Sequence, residues 1–379
     1  MKQKIKRSLQ LIYKKIYNWI YLFSRKQKID KNKVIIVISR GQKLEGNLKL
    51  IYEEIKSMYP HFKIHFVIAE NKMNLKLLKE LLLIKDAKYV ILDDYYLPVY
   101  LINPRKEVKI IQIWHAAGAL KKFGYSTIGT AFGPNKNYLK IVPIHSNYTH
   151  AYVSAEYAKP YFAEAFNMSE NKIHALGIPR AELFLSNKID ENLKTYETLG
   201  IKDIKKTFIL WAPTYRAEGL QAESNIDMLA IMQYVMEYIP RDTIILYKPH
   251  PYSKINIEKL TKQVNFINAS EESIDELLLI ADALITDYSS VIFEYSLLKR
   301  PFVHYVPDLE EYTKNRGFYE QIKNVSDGVI IKDMEALITW IKKRKKNEYY
   351  ETGKMVEHNF NNLTSSTKKI VNHFINEKE

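Results

Sequence analysis

The stretch from residue 283 to residue 305 reads ALITDYSSVIFEYSLLKRPFVHY and predicts a strand, a polar turn, a helix and a second strand. The apolar run 283–285 is typical of a buried strand, and apolar residues at helical spacing over 288–299 predict the helix. Pro301 ends that helix, and the apolar residues 302–305 predict the next strand. This alternation is the repeating unit of an α/β fold with a parallel sheet.

The polar turn of this stretch is a candidate phosphate site. Its side chains lie where a helix exposes unpaired N–H groups and the positive end of its dipole. A phosphate can bind at such a helix start, just beyond the carboxyl end of a parallel strand. The alternative is an N-cap without a ligand, which the turn by itself favours because Ser and Asp are common N-cap residues. The turn residues concerned are Thr286, Asp287, Ser289 and Ser290.

Composition narrows the class of protein. A chain of 379 residues with 46% apolar and 26% charged residues suits two α/β domains better than one core. The absence of cysteine excludes disulfides, thiolate metal sites and cysteine nucleophiles. A formal charge of +14 indicates an acidic partner, which could be anionic lipid, nucleic acid or a phosphorylated substrate.

Residues 1–28 carry lysine and arginine but no acidic residue, and they predict an amphipathic helix. The uncharged stretch 16–24 is far too short to span a membrane, and no secretory cleavage site is expected after it. A helix lying in the surface of an anionic membrane is favoured, and a helix docked on the protein itself is the alternative. The expected apolar stripe consists of Ile5, Leu9, Ile12, Ile16, Trp19, Ile20 and Phe23.

Strands alternate with helices through the rest of the chain, with a polar segment over 188–206. We therefore expect an α/β domain over 29–195 and a second over 196–379, two Rossmann-type units facing a cleft in which two ligands can meet. One of the strands expected in the first domain covers residues 142–146. A single last helix over 354–375 could pack back on the first domain.

His115 is the main catalytic candidate of the first half. It directly follows an expected strand and is flanked by small residues that let a substrate approach the backbone. A histidine at a strand end can act as a general base near neutral pH, whereas a structural histidine bonded to a backbone carbonyl is an equal alternative. Lys121 and Lys122 follow in the same loop, as phosphate or membrane contacts or as a solvated pair.

Further candidates lie at strand ends of the second half. Two prolines hold His250 in a stiff turn, which suits a group that must meet developing negative charge without reorganising. Arginine is suited to bidentate phosphate contact, and a carboxylate one turn into a helix can accept hydrogen bonds from ribose hydroxyls. A surface turn and an exposed helical carboxylate are the alternatives. The candidates are Thr214, Arg216, Lys248, His250, Glu294 and Arg316.

Six motifs together resemble the CDP-glycerol glycerophosphotransferase family of wall teichoic acid synthesis, and the chain length is similar to that of its short priming enzymes. Some members read WHGTPLK where this chain has WHAAGAL, a difference that leaves the acceptor open. The motifs are QIWHAAGALKKFG (112–124), GIPR (177–180), APTYR (212–216), KPHP (248–251), TDYSSVIFEYSLLKRP (286–301) and RGFY (316–319).

The resemblance implies a GT-B-like fold and a peripheral enzyme on the cytoplasmic membrane face. It implies transfer of glycerol phosphate from CDP-glycerol to a prenyl-diphosphate-linked disaccharide, with ribitol phosphate from CDP-ribitol, or polymerisation, as alternatives. His115 would be the base and His250 a catalytic contact to the donor phosphate. Arg216 and the 286–290 turn would surround the donor, with Trp114, Gly118, Lys121 and Lys122 on the acceptor side.

No obligatory cofactor or protein-bound metal is expected, although Mg²⁺ could accompany the donor diphosphate. Two other classes stay open. One is a GT-B glycosyltransferase that uses a nucleotide sugar, because it would share the fold and the phosphate site. The other is a non-catalytic basic protein that binds lipid or nucleic acid, although no nucleic-acid-binding motif is present and nucleic acid is not an expected partner.

Overall fold

Two parallel sheets organise the molecule, and the expected α/β fold with two halves is confirmed. The structure is a computed structural model that describes residues 2–39, 41–131, 133–186, 189–214, 226–250, 253 and 255–377. Within these residues each sheet has six strands. The strands are β1 Asp30–Ile38, β2 Lys63–Ile68, β3 Ala87–Leu92, β4 Lys109–Gln112, β5 His150–Tyr152, β6 Ile173–His174, β7 Thr207–Trp211, β8 Thr243–Tyr247, β9 Phe266–Asn268, β10 Ala283–Thr286, β11 Phe302–Tyr305 and β12 Val329–Ile331.

The strand order is β2-β1-β3-β4-β5-β6 in the first sheet and β12-β11-β10-β7-β8-β9 in the second. Helices cover the faces of both sheets. They are α1 Lys2–Ser24, α2 Gly46–Met58, α3 Leu75–Ile84, α4 Leu97–Leu101, α5 Lys136–Ile141, α6 Lys159–Phe166, α7 Ala181–Leu185, α8 Ile189–Thr198, α9 Met228–Tyr238, α10 Ile274–Ile280, α11 Val291–Ser296, α12 Leu309–Asn315, α13 Ile322–Val325, α14 Met334–Lys342, α15 Gly353–Asn359 and α16 Ser366–Asn376.

The central strands are buried on both faces. The run 34–38 of β1 reads VIIVI and is buried at every position, and all five residues of β7 are buried as well. A strand covered by helices on both faces needs an uninterrupted apolar sequence, which explains why these strands do not alternate.

The strand expected over 142–146 does not form. Pro143 has no N–H to give to a sheet, and the next residues turn sharply, with φ of 60° at His145 and 70° at Asn147. The apolar residues of this segment are buried in a loop, and the strand of this region is β5.

The two helices expected near the end of the chain also differ from expectation. α11 begins at Val291 rather than 288, because Tyr288 is fully buried and its ring stacks on Tyr312 at 3.8 Å. The helix expected over 354–375 is broken into α15 and α16, where Ser365 has a φ of 57°. Between them the chain crosses from the second half to the first, and α16 packs against α2.

α1 docks on the first half by its tyrosine face. Tyr17 and Tyr21 are buried in the first core, and the Tyr17 hydroxyl donates to the Leu77 carbonyl at 3.0 Å. Lys14 donates to the carbonyl of Ile141 at 2.6 Å. Most of the apolar stripe points away from this contact. In the described part of the chain no helix is long and apolar enough to cross a bilayer.

Glu80 of α3 is a buried carboxyl group, and its burial predicts a pH dependence of stability. Glu80 is only 8% exposed, and burial raises its pKa from 4.5 to about 7. When the pKa of a carboxyl group is higher in the folded state than in the unfolded state, the protonated group favours folding. The resulting stability is fully present below the unfolded-state pKa and is lost as the pH rises through the folded-state pKa of about 7.

Glu80→Gln removes this ionisation. We therefore expect the melting temperature of the variant, relative to the natural chain, to rise between about pH 5 and pH 8. Glu237→Gln, at an exposed position of α9, is the control and should show no such trend. A difference that stays flat with pH for both variants would contradict the assignment.

Candidate active site

Three of the predicted motifs follow three adjacent strands of the second sheet. β10 pairs with β7, and β7 pairs with β8, all in parallel. The segments 286–290, 212–214 and 248–250 therefore leave the sheet side by side at its carboxyl edge. This is the edge at which doubly wound sheets bind ligands.

Asp287 and Thr286 hold this edge together. Asp287 is 2% exposed and accepts hydrogen bonds from the Thr214 backbone N–H at 2.9 Å and from the Thr214 hydroxyl at 3.0 Å. The Thr286 hydroxyl donates to the Ala212 carbonyl at 2.6 Å. Both side chains were predicted to surround a ligand, but their polar atoms are buried in contacts between the two loops. They position the turn, and Ser289 and Ser290, which are half-buried, remain the candidates for direct contact.

Lys248 also serves the local fold. Its ammonium donates to the carbonyls of Ser270 and Glu272 at 2.5 and 2.6 Å, and burial lowers its pKa. The donor contact expected of Lys248 stays a prediction. His250 is half-buried beside it, and its carbonyl accepts from the Ser253 N–H at 2.8 Å. Arg216 lies outside the described residues.

His115 lies at the carboxyl end of β4, where a base was predicted. Its Nδ1 is 2.9 Å from the Asp93 carbonyl oxygen, and its side chain is 20% exposed. A carbonyl can only accept, so Nδ1 carries the hydrogen and Nε2 has the basic lone pair. The Asp94 carboxylate is 3.8 Å from Nδ1. The ring can therefore act as a base through Nε2.

Trp114 fixes the backbone that presents His115. Its φ is 52°, and its N–H donates to the Gln112 side chain at 3.0 Å while its carbonyl accepts from Asn47 at 2.9 Å. The indole packs on Phe123 with ring centroids 4.6 Å apart. Trp114 was predicted on the acceptor side. The structure shows that its ring belongs to an aromatic cluster of the first half.

Arg180 joins the two halves directly behind His115. Its guanidinium pairs with Asp275 of α10, lies 3.7 Å from Glu294 of α11 and donates to the His115 carbonyl at 2.9 Å. Burial alone would lower the pKa of Arg180, but the two carboxylates raise it above its usual value. Arg180 of the first half therefore stays charged although it is buried against Asp275 and Glu294 of the second half.

Glu294, predicted as a ribose contact, is part of this contact between the halves. It is 0% exposed, and its Oε1 accepts from the Ala117 N–H at 3.1 Å. Burial raises the pKa of Glu294, while Arg180 and the backbone N–H groups oppose that shift. The ribose contact predicted for Glu294 stays a prediction, and in this structure its carboxylate is buried against the first half.

Gly118 lies at the closest approach of the halves. A Cβ there would be 2.7 Å from the Phe293 ring and 2.8 Å from the Asn359 side chain, and its φ is +63°. Its N–H donates to Ser154 at 2.8 Å. Gly118 therefore has a packing role, and it presents no surface to an acceptor.

A second crossing joins residues 120–122 to residues 317–319. Lys121 and Phe318 form an antiparallel bridge, and the Lys122 N–H donates to the Gly317 carbonyl at 3.2 Å. Arg316 donates through Nε to the Lys122 carbonyl at 3.3 Å. These residues were predicted as acceptor and donor contacts on separate domains. The structure brings them together as one inter-domain ribbon.

Several residues of the site were not predicted from the sequence. The GIPR motif drew attention to Arg180 without giving it a role, and Asn47 and Asp275 had no local signal. Asn47 connects the two loops of the first half, since it also accepts from the Arg180 N–H at 2.8 Å. These residues contact segments that are distant in sequence, so the local pattern around each of them gives no signal.

Two facing parallel-sheet domains with motifs at their strand ends define a GT-B-like fold. A solved structure of the wall teichoic acid polymerase TagF superimposes with a TM-score of 0.75 at 20% identity, over 99% of this chain and 98% of that chain. This likeness establishes the fold, as predicted.

The chain belongs to the CDP-Glycerol:Poly(glycerophosphate) glycerophosphotransferase family, whose sequence profile matches residues 19–375. It is 39% identical over 350 residues to the teichoic acid ribitol-phosphate primase of Bacillus spizizenii, covering 88% of each chain. It is 29% identical over 329 residues to the teichoic acid glycerol-phosphate primase of Bacillus subtilis, covering 82% of this chain and 83% of that one. The predicted family is confirmed, and the chain is a transferase of the teichoic acid type.

The packing of Gly118 gives a stability prediction. Gly118→Ala forces a Cβ against Phe293 and strains the backbone, and we expect a loss of roughly 1–3 kcal/mol in the free energy of unfolding. Gly200→Ala is a matched control, because its φ of +69° is similar and nothing lies within 4 Å of its Cβ. Urea unfolding of both variants separates strain from contact. Equal losses would show that the contact with Phe293 contributes nothing.

Proposed function

We propose that this protein transfers an alditol phosphate from a CDP-alditol to a hydroxyl of a prenyl-diphosphate-linked disaccharide, with release of CMP. One observation carries the proposal. The loop that presents His115 is hydrogen-bonded to α11, the helix that follows the candidate donor turn. The hydrogen bond from the Ala117 N–H to Glu294 thereby links the loop of the proposed base, His115, to the helix that follows the proposed phosphate site.

The donor diphosphate would bind near Ser289, Ser290, His250 and Arg216. The acceptor hydroxyl gives its proton to Nε2 of His115, and its oxygen attacks the β-phosphorus. The bond from that phosphorus to the CMP oxygen breaks, and CMP leaves. Phosphoryl transfer depends mainly on positioning and charge neutralisation, which these groups can supply. Metal independence, or Mg²⁺ carried by the donor, stays a prediction.

Sequence identity supports ribitol rather than glycerol as the alditol. The chain is 39% identical to a ribitol-phosphate primase and 29% identical to a glycerol-phosphate primase. It is 31% identical to a poly(ribitol-phosphate) polymerase, which favours priming over polymerisation. CDP-ribitol is therefore the proposed donor, and the CDP-glycerol expected from the sequence is the second candidate.

A donor panel tests this function. The full chain is incubated with a prenyl-diphosphate disaccharide and CDP-ribitol, CDP-glycerol or a nucleotide sugar, and products are read by mass spectrometry. We expect one ribitol phosphate to be added and CMP released. Addition of glycerol phosphate alone would favour the second candidate. Release of UDP or GDP from a nucleotide sugar, without turnover of either CDP-alditol, would contradict the proposal.

The role of His115 predicts a specific kinetic change. His115→Ala should lower kcat by roughly 10²–10⁴ while donor binding stays largely intact, because a general base acts on the acceptor proton and not on the donor. His61→Ala, an exposed histidine of the same half, is the control. Turnover near that of the natural chain in the His115 variant would remove the assignment.

We also propose that α1 lies on an anionic membrane at the cytoplasmic face. Its docked face is formed by tyrosines, whereas the apolar stripe is largely exposed and flanked by lysines. An exposed apolar patch bordered by basic residues suits a lipid surface. The exposed fractions are Ile5 53%, Leu9 61%, Ile12 53%, Ile16 52%, Trp19 64% and Phe23 61%.

The double variant Trp19→Glu/Phe23→Glu tests the membrane surface without disturbing the docked face. We expect it to lose sedimentation with anionic liposomes and to keep the melting temperature of the natural chain, because both side chains are largely exposed. Val264→Glu, at a position 88% exposed in the second half, is the control. Unchanged liposome binding by the double variant would contradict the proposal.

A further inference from the structure

Three residues distant in sequence form a cluster of potential metal ligands. His150 begins β5, while His373 and Glu377 lie on and just after the last turn of α16. One ligand atom from each lies within 4.8 Å of the others. His150 is buried, His373 is half-buried and Glu377 is exposed at the edge. None of these residues belongs to the candidate active site.

The hydrogen-bond pattern directs a lone pair of His150 into the cluster. The Thr149 hydroxyl donates its one hydrogen to the Ile110 carbonyl at 3.0 Å, and it lies 2.8 Å from Nδ1 of His150. Nδ1 is therefore the donor to Thr149, and Nε2 presents its lone pair to the Glu377 carboxylate, which it contacts directly. Two electron-pair donors in contact require a proton or a cation between them.

His373 also contacts a hydroxyl group outside the cluster, as His150 contacts that of Thr149. Its Nδ1 is 2.8 Å from the Tyr152 hydroxyl, and the ring of His174 lies 4.2 Å away, between ring centroids. Metal-binding histidines are held in this way, with one nitrogen bonded to a protein group and the other facing the metal.

The positive charge of Lys109 disfavours cation binding at this cluster. The Lys109 ammonium is 3.8 Å from the Glu377 carboxylate. It donates to the carbonyls of Phe374 and Glu377 at 2.8 and 2.9 Å, and so it is directed at the end of α16. The lysine weakens cation binding and does not occupy the ligand atoms of the histidines.

We propose that His150, His373 and Glu377 bind one divalent transition-metal ion of the zinc type. Two imidazoles and a carboxylate suit Zn²⁺, Co²⁺ or Ni²⁺ better than Mg²⁺ or Ca²⁺, which prefer oxygen ligands. Ligand atoms of a tetrahedral zinc site are about 3.3 Å apart. The Glu377 carboxylate, which contacts Nε2 of His150 directly, therefore has to move away from that nitrogen, and the exposed Glu377 side chain can rotate to allow this. The ion would fasten α16, which comes from the second half, to the sheet of the first.

The test uses the full chain, freed of metal by a chelator and titrated with Co²⁺ and then Zn²⁺. We expect one equivalent of Co²⁺ to bind with a visible absorption band, to be displaced by Zn²⁺, and to raise the melting temperature. His373→Gln and Glu377→Gln should each weaken binding about tenfold or more. Tyr152→Phe, which keeps all three ligands, should weaken it by about 10-fold to 100-fold through loss of the outer hydrogen bond.

His65→Gln, at an exposed position of β2, is the control and should bind as the natural chain does. The Glu377 variant keeps the experiment informative if the His373 variant does not fold, because Glu377 is a surface residue after the last helix. No saturable binding, or equal affinity in the ligand variants and the His65 control, would overturn the proposal and leave a proton shared by His150 and Glu377.

Discussion

A single buried arginine connects the two halves of this molecule. The guanidinium of Arg180 pairs with Asp275 and approaches Glu294, both from the second half, while it donates to the carbonyl of His115. A buried charge is costly unless it is paired, so the fold is favourable only when both domains supply their groups at the same place. The position of His115 relative to the second half follows from that requirement.

The remaining contacts between the halves reinforce this geometry. Gly118 allows the loop after His115 to approach Phe293, and Lys121 bridges to Phe318 on the other side. The carboxyl edge of the second sheet, where the donor is proposed to bind, has its own internal support, since Asp287 accepts two hydrogen bonds from Thr214. Hydrogen bonds that fix these loops suit transfer between two bound substrates, because catalysis depends on the alignment of the reacting groups.

The sequence predicted the architecture well and the side-chain roles less well. Strand and helix alternation gave two parallel sheets, and the motifs lie at strand ends because parallel topology brings those ends to one edge. Local pattern cannot show which way a polar side chain turns relative to a distant domain. Glu294 and Lys248 were therefore predicted as ligand contacts, although their polar atoms are used inside the protein. His150 and His373 meet only because the chain returns to the first half.

Arg180 and Glu294 interact across the two halves, with 3.7 Å between Nη1 and Oε1. A double-mutant cycle with Arg180→Met and Glu294→Gln, measured by urea unfolding, tests it directly. We expect the effects of the two substitutions not to be additive, with an interaction energy of at least about 1 kcal/mol, as for residues in one buried ionic network. Additivity within about 0.5 kcal/mol would contradict it, because independent sites behave in that way.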